Sequence, residues 1–173
     1  NHEVEVEVCE KIVKHVPCAD MVFMMNTGSE ATSAALKIAR SHTRKQKIVK
    51  FEGHFHGWHD WSIFHNYPAA KMDAAGLAKS VADDIIVLPW NDLEVAEKIL
   101  TRQGHEIAAV ITEAYLFNGG VIPPEKGYLE GLRKITQKQD IVLIFDEVIT
   151  GFRLGLSGAQ GMLRVTPDIA TFA

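Results

Sequence analysis

Several features that define particular classes of protein are missing from this sequence. Its 173 residues contain no apolar run that approaches the ~20 residues needed for a membrane-spanning helix. The chain has only two cysteines, Cys9 and Cys18, which lie in one local region and argue against a disulfide framework. A reducing, cytoplasmic compartment is therefore the expectation.

Clusters of basic residues are also absent. Lysine and arginine total 18 against 22 acidic residues, and the resulting net charge of −4 argues against a nucleic-acid partner. A hydrophobic fraction of 47% with 23% charged residues is typical of a globular domain that has its own core. Because no repeat, low-complexity tract or linker divides the sequence, we expect one domain or most of one.

Short apolar runs alternate with segments of helical periodicity along most of the chain. This alternation predicts parallel strands joined by helices, and hence an α/β fold with a layered, mostly parallel sheet flanked by helices. The predicted helices cover residues 3–16, 29–42, 93–102 and 128–139. The predicted strands cover residues 21–25, 47–52, 85–88, 107–112 and 141–145, and an irregular segment spans 53–72.

The run IVLIF at 141–145 indicates a strand that is buried on both faces, and Asp146 and Glu147 follow it directly. Ligands of an open parallel sheet bind outside the carboxyl ends of the strands. A buried Asp146 at that edge would be placed to hold a cationic group of a cofactor. The alternative is that both carboxylates only mark the exit of the strand into solvent.

Residues 26–31, with the sequence NTGSEA, join a predicted strand to a predicted helix. Thr27 and Glu30 have the spacing of a capping box, which specifies the start of the helix. Free N–H groups and the positive end of the helix dipole favour an anion there, and Ser29 adds a hydroxyl donor. An ordinary capped helix that binds nothing is the competing interpretation.

The segment FEGHFHGWH at 51–59 is unusually rich in aromatic and imidazole groups. In one interpretation Phe55 stacks on an aromatic cofactor. In a second, His54, His56 and His59 bind a metal ion, since their spacing resembles that of metallo-β-lactamase-like hydrolases, although Trp58 stands where that motif carries aspartate. A surface loop with unligated histidines is the third.

One further acidic side chain follows a predicted strand. Glu113 comes after the strand 107–112, and Asn118 lies in the turn beyond it. The carboxyl ends of parallel strands meet at one edge of a sheet, so we expect Ser29, Phe55, Glu113 and Asp146 to converge there.

These segments together resemble the large domain of the class III, pyridoxal-phosphate-dependent aminotransferases, closest to the glutamate-1-semialdehyde aminomutase branch. The resemblance covers essentially all 173 residues and implies a partial cofactor-binding domain of fold type I. It rests on segments that occur in the family's order and spacing, namely NTGSEA at 26–31, FEGHFHG at 51–57, GYL at 127–129, FDEVITGFR at 145–153, GAQG at 158–161 and TPD at 166–168.

The resemblance also implies roles for individual residues. Gly28 and Ser29 would bind the cofactor phosphate, and Phe55 and Val148 would pack on opposite faces of the pyridine ring. Asp146 would pair with the protonated ring nitrogen, which keeps the ring able to accept electrons. The same comparison implies that His56 and Glu113 also bind the cofactor, and that Glu147 supports the site nearby.

The sequence departs from the family pattern at three places. Ala114 replaces the usual proline after Glu113, and YLF at 115–117 replaces a smaller segment, which alters the expected substrate pocket. The lysine that bonds to the cofactor in this family is not matched by any lysine present. By family spacing we expect it at position 174. We therefore expect an internal piece of a longer protein, without the N-terminal segment, the lysine region and the C-terminal small domain, and without catalytic residues of its own.

The resemblance leaves the reaction open between intermolecular amino transfer and a 2,1-aminomutase reaction. Either would use a small-molecule amino acid or amine together with a keto acid or aldehyde, in an enzyme that is a homodimer, with no nucleic-acid or membrane partner. Two other hypotheses remain at this stage. They are the metal-dependent hydrolase with the three histidines and a non-catalytic homologue that has lost its lysine.

Overall fold

Parallel strands form the centre of the protein in a computed structural model that describes residues 2–63, 76 and 78–173. Within those residues the sheet has five strands in the order β2-β1-β3-β4-β5. All its strand pairs are parallel, which confirms the predicted fold class. The strands are β1 (Lys47–Phe51), β2 (Ile85–Leu88), β3 (Ile107–Glu113), β4 (Val142–Asp146) and β5 (Ile169–Thr171).

Helices supply the crossover connections that parallel pairing requires. Seven occur in the described part of the chain, and four of them match the helices predicted from periodicity. They are α1 (Glu3–His15), α2 (Gly28–Thr43), α3 (Asp60–Ile63), α4 (Lys79–Ala82), α5 (Leu93–Gln103), α6 (Tyr128–Lys138) and α7 (Gly158–Leu163). In that same part of the chain, none of the helices combines the length and the apolar character that crossing a bilayer requires.

The two faces of the sheet carry different cores. Leu100 of α5 and Leu132 of α6 pack with Val49 and Phe51 of β1 on one face. Leu36 of α2 packs on the other face, in a smaller cluster that is rich in alanine. Every residue of β3 and β4 is buried, as expected for strands covered on both sides.

The strand order fixes where a ligand can enter. The chain moves outward from β1 to β2 and then returns to place β3 on the other side of β1, so the direction of winding reverses between β1 and β3. A crevice opens at the carboxyl ends of strands at such a reversal. The register places Glu113 of β3 directly beside Asp146 of β4 at that same edge.

The predicted strand at residues 21–25 is wrong. These residues have no regular structure, and Met21 and Phe23 are 90% and 75% exposed. Their apolar side chains line a surface cleft of about 550 Å³, here called the apolar cleft, together with residues of α1, α2 and β5. A strand requires a hydrogen-bonded neighbour as well as apolar side chains, and this segment pairs with no described strand. The predicted irregular segment 53–72 is described as far as Ile63, and its remainder lies outside the described residues.

Candidate functional site

A cleft of about 270 Å³ opens at the carboxyl edge of the sheet, where β1, β3 and β4 end. We call it the site cleft. The convergence expected from the sequence is confirmed, because side chains from four separate segments meet in it. All seven residues singled out as cofactor-binding line this cleft: Gly28, Ser29, Phe55, His56, Glu113, Asp146 and Val148.

Asp146 occupies the last position of β4, and its carboxylate is buried, with 6% of the residue exposed. The His56 ring nitrogen Nδ1 lies 2.8 Å from Oδ2 of Asp146. The other oxygen, Oδ1, accepts hydrogen bonds from the Thr171 hydroxyl at 3.0 Å and from the Val148 N–H at 3.2 Å. The interpretation of this acid as a mere strand exit is therefore wrong. Donors on both oxygens are what a buried carboxylate requires.

The partner of His56 determines which hydrogen bond its Nδ1 atom makes. A carboxylate only accepts hydrogen bonds, so Nδ1 of His56 carries the proton that it donates to Asp146. The other ring nitrogen, Nε2, is buried and meets no polar partner among the described residues. His56 lines the cleft but is only 2% exposed, so this hydrogen bond is shielded from solvent.

The start of α2 forms a second wall of the site cleft. The predicted capping box is present, with the Thr27 hydroxyl accepting from the Glu30 N–H at 3.1 Å. Gly28 and Ser29 lead the helix, so their N–H groups have no acceptor within it. The Ser29 hydroxyl oxygen accepts from the Trp58 N–H at 2.9 Å, which leaves its own proton available to a ligand.

Glycine at two positions allows the walls to approach each other. A Cβ atom at Gly57 would lie 2.7 Å from the Ser29 Cα, and the φ of Gly57 is +107°. A Cβ atom at Gly28 would lie 3.2 Å from a methyl carbon of Val148. The backbone at Gly57 therefore packs directly against the start of α2, and the start of α2 packs against Val148.

Glu113 holds two loops in place at the cleft. One of its oxygens accepts from the Phe55 N–H at 2.8 Å, and the other accepts from the Phe117 N–H at 2.9 Å. Burial raises the pKa of this carboxyl, although His56 and these two N–H groups oppose the shift. Phe55 is 41% exposed while its backbone N–H is held by Glu113, so its ring is accessible for stacking on a flat ligand.

The metal-binding interpretation of the three histidines is wrong. Nδ1 of His54 accepts from the Glu113 N–H at 3.0 Å, Nδ1 of His56 bonds to Asp146, and Nε2 of His59 lies 3.1 Å from the Thr32 hydroxyl oxygen. Each ring thus has its own partner. Within the part of the chain that the structure describes, no three His, Cys, Asp or Glu side chains are grouped to hold a metal ion.

Burial also keeps two of these histidines neutral. Desolvation, together with the nearby His56 and Lys50, lowers the pKa of His54 well below its ordinary value of 6.5. The same three causes lower the pKa of His59 to about 4. Both rings therefore serve as uncharged hydrogen-bonding groups at neutral pH.

Glu147 follows Asp146 in the sequence but faces away from the site cleft. It is fully buried and accepts from the Thr150 hydroxyl at 3.1 Å and from the Gln160 side-chain amide at 2.9 Å. The N–H groups of Ala159 and Gln160 also donate to it. The expected supporting role is thus a structural one, because this carboxylate anchors the start of α7 to the end of β4.

A known protein family matches the whole length of this chain. The family model described as aminotransferase class-III matches residues 1–173. The chain belongs to this family. A relative named glutamate-1-semialdehyde 2,1-aminomutase, from Ignicoccus hospitalis, is 44% identical over 174 residues, which cover 98% of this chain and 41% of the relative. The chain thus spans about two fifths of the length of the curated relatives that it matches.

Solved structures of a transaminase and an aminomutase share the fold. An omega-transaminase from Sphaerobacter thermophilus superposes with a TM-score of 0.92 at 33% identity, over 99% of this chain and 41% of the other. A glutamate-1-semialdehyde aminomutase from Pseudomonas aeruginosa gives a TM-score of 0.87 at 27% identity, over 99% and 38%. The sheet of this chain is therefore part of the fold type I architecture of the class III aminotransferases.

Several residues of the site cleft were not assigned a contact from the sequence. They are Thr27, Gly57, Ile149 and Thr150, and each lines the site cleft. All of them stand inside the segments that carried the resemblance, so adjacency to an assigned residue was the available signal. Phe117 also lines the cleft, which agrees with the expectation that residues 115–117 alter the pocket.

Proposed function

We propose that this chain binds pyridoxal 5′-phosphate and takes part in amino-group transfer, as an aminotransferase or a 2,1-aminomutase of class III. The observation that carries the proposal is the buried Asp146 carboxylate in the same cleft as the α2 start and the exposed face of Phe55. These are the three groups that a phosphorylated, cationic and aromatic cofactor needs.

The residues present fit this cofactor. Ser29, with its available hydroxyl proton and the leading N–H groups of α2, suits the phosphate. Phe55 and Val148 supply apolar surface for the ring, and Asp146 supplies the anion for its protonated nitrogen. Two solved structures with the same fold support the assignment, a transaminase with PLP bound and an aminomutase variant in complex with PMP.

Each group of the chain has a definite task in this proposal. When bound, pyridoxal phosphate supplies an electron sink for the pair released from the substrate Cα–H bond. Asp146 holds a proton on the ring nitrogen by charge and hydrogen bonding. His56 holds Asp146 in place through its Nδ1 hydrogen bond, and Glu113 keeps the Phe55 loop fixed. The proton on the substrate carbon requires a separate base, which is the role of the lysine expected beyond Ala173.

The reaction partners follow from the same proposal. The substrates would be a small amino acid or amine with a keto acid or aldehyde, and relatives named for the aminomutase and for omega-transaminase support both branches. We propose a homodimer in the cytoplasm, and the exposed Met21 and Phe23 of the apolar cleft offer surface for a second subunit.

A visible absorption spectrum of the natural full-length protein tests the proposal. A lysine-bound cofactor gives an absorption band that disappears on borohydride reduction, and peptide mass spectrometry then locates the modified lysine. We expect this lysine just after residue 173. Reversible cofactor binding without a reducible band would indicate a non-catalytic homologue. Absence of any binding after added cofactor would contradict the proposal.

A further inference from the structure

Lys50 is a completely buried lysine that the proposed reaction does not use. It is 1% exposed, and the two β1 residues beside it, Val49 and Phe51, point to the opposite face of the sheet. Lysine is almost never buried to this degree without a specific partner. Its ammonium group donates to the backbone carbonyl of Ser62 on α3.

Ser62 extends this contact toward the site cleft. Its side chain is buried, and its hydroxyl oxygen accepts from the His56 N–H at 2.9 Å. Two direct hydrogen bonds therefore connect the Lys50 ammonium with the backbone of His56. They also connect β1 with the histidine-rich loop that follows it.

The backbone of His56 is fixed from its other side as well. The hydroxyl group of Thr32 on α2 donates to the His56 carbonyl at 2.6 Å, and His59 bonds to the same hydroxyl at 3.1 Å. With both backbone groups held, the ring of His56 has little freedom. Its Nδ1 proton is directed at Asp146.

We propose that Lys50 and Ser62 are positioning residues of the cofactor site, which hold His56 so that its ring aims the Asp146 carboxylate into the cleft. This inference rests on the proposed cofactor function. The Lys50 cation has an electrostatic role besides its mechanical one. Together with burial and His56, it lowers the pKa values of His54 and His59 and keeps both rings neutral.

Binding of pyridoxamine phosphate to the natural full-length protein tests this proposal, because that cofactor form carries no aldehyde for a lysine to bond. Isothermal titration would compare Lys50→Met and Ser62→Ala with the wild type. We expect each variant to weaken binding about tenfold, as for the loss of one buried hydrogen bond. Ser62→Thr keeps the hydroxyl and should restore binding. Lys45→Met is the control, because Lys45 also donates to backbone carbonyls, those of Gln139 and Asp140, but does so before the amino ends of β1 and β4, whereas the cleft lies at the carboxyl edge of the sheet.

Proton and ¹⁵N NMR of the His56 ring gives a second measurement that a general loss of stability would not move. In the cofactor-free protein, we expect the Nδ1 proton resonance to shift upfield in Ser62→Ala, because its bond to Asp146 lengthens. The Ser62→Thr and Lys45→Met variants should keep the wild-type resonance. Because Ser62→Ala leaves the buried ammonium in place, it decides the question if Lys50→Met does not fold.

The possible outcomes separate the two proposals. Wild-type affinity together with an unchanged His56 resonance in Ser62→Ala would overturn the positioning role. A wild-type protein that does not bind pyridoxamine phosphate would contradict the proposed function. The His56 resonance of the cofactor-free protein would then still support or overturn the positioning role, since it requires no ligand.

Discussion

The site cleft and the apolar cleft differ in how their walls are held. In the site cleft, buried polar side chains fix the backbone: Glu113 holds two N–H groups, and Asp146 accepts from three groups. In the larger apolar cleft, Met21 and Phe23 stand largely in solvent on a segment without regular structure. Preorganisation in this protein therefore comes from buried hydrogen bonds, whereas the apolar cleft contributes apolar surface that stays exposed among the described residues.

The largest expected effect comes from removing the anchor behind the site cleft. In Glu147→Ala, the N–H groups of Ala159 and Gln160 and the Gln160 amide lose their acceptor inside the protein. We expect a loss of about 3–5 kcal/mol in the free energy of unfolding, measured by urea denaturation. The exposed Glu97→Ala on α5 is the control and should change stability by less than about 0.5 kcal/mol. Equal effects of the two substitutions would show that Glu147 anchors nothing.

The next effect concerns the ligand wall itself. Asp146→Asn replaces one acceptor oxygen by an amide, which then opposes one of the donors from His56, Thr171 or Val148. We expect the dissociation constant of pyridoxamine phosphate to rise about 100-fold, or ~2.7 kcal/mol. Titration calorimetry measures this value, with the exposed Asp140→Asn as control. Affinity within twofold of the wild type would remove Asp146 from the proposed site.

A smaller effect should appear as a pH dependence of stability. The pKa of His59 is lowered to about 4 in the folded protein from an ordinary value of 6.5, and that of His54 is lowered as well. Below about pH 6.5 the unfolded chain takes up protons that the folded chain refuses, so stability falls as the pH drops toward 4.

Urea unfolding at about pH 7.5 and about pH 5 checks this sign. We expect His59→Gln to reduce the difference between the two pH values, because glutamine can still donate to the Thr32 hydroxyl without titrating. His105, whose side chain is 75% exposed, provides the control variant His105→Gln. A stability that increases on acidification would contradict the buried, neutral state of these rings.

The smallest effect belongs to the apolar cleft. Because Phe23 is 75% exposed, Phe23→Ser should change the free energy of unfolding of the chain by less than about 0.5 kcal/mol. Leu132→Ala, at a fully buried position of α6, should cost about 2–5 kcal/mol in the same urea experiment. A large loss in Phe23→Ser would mean that this wall is part of the core, and the contrast between the clefts would fail.

Much of the fold could be predicted because local patterns and tertiary structure agree. The capping box of Thr27 and Glu30 places the start of α2 within one residue, and the apolar run at 141–145 matches β4 with a shift of one residue. The prediction failed at 21–25, where a run of apolar residues, including Val22 and Phe23 with high strand propensity, faces a surface cleft. Propensity records which side chains suit a strand, but it contains no information on whether a neighbouring strand is present.

The site was less accessible to sequence reasoning. Strand ends and the helix start brought the correct groups to one edge, yet the roles of the histidines depend on partners far away in the chain. Asp146 lies 90 positions from His56, and Glu113 lies 59 from His54. The three histidines are spaced two and three residues apart, which resembles a metal site. That spacing shows that the imidazoles are close in sequence, but it does not show which atom each ring faces. Side chains alternate along an extended backbone, so those of Asp146 and Glu147 point in opposite directions. Which of the two side chains faces the cleft depends on the register with β3.

The order of the strands has a consequence for how this cleft comes into existence. Residues 28, 55, 113 and 146 contribute to its walls. They are far apart in sequence because long crossovers connect the parallel strands. Contacts of such sequence separation form late and slowly during folding, so no early intermediate can contain a complete binding surface. A ligand that binds in the cleft would bind only folded chains and would stabilise them against unfolding by mass action. Cofactor supply would then act on the cellular lifetime of the protein as well as on its chemistry.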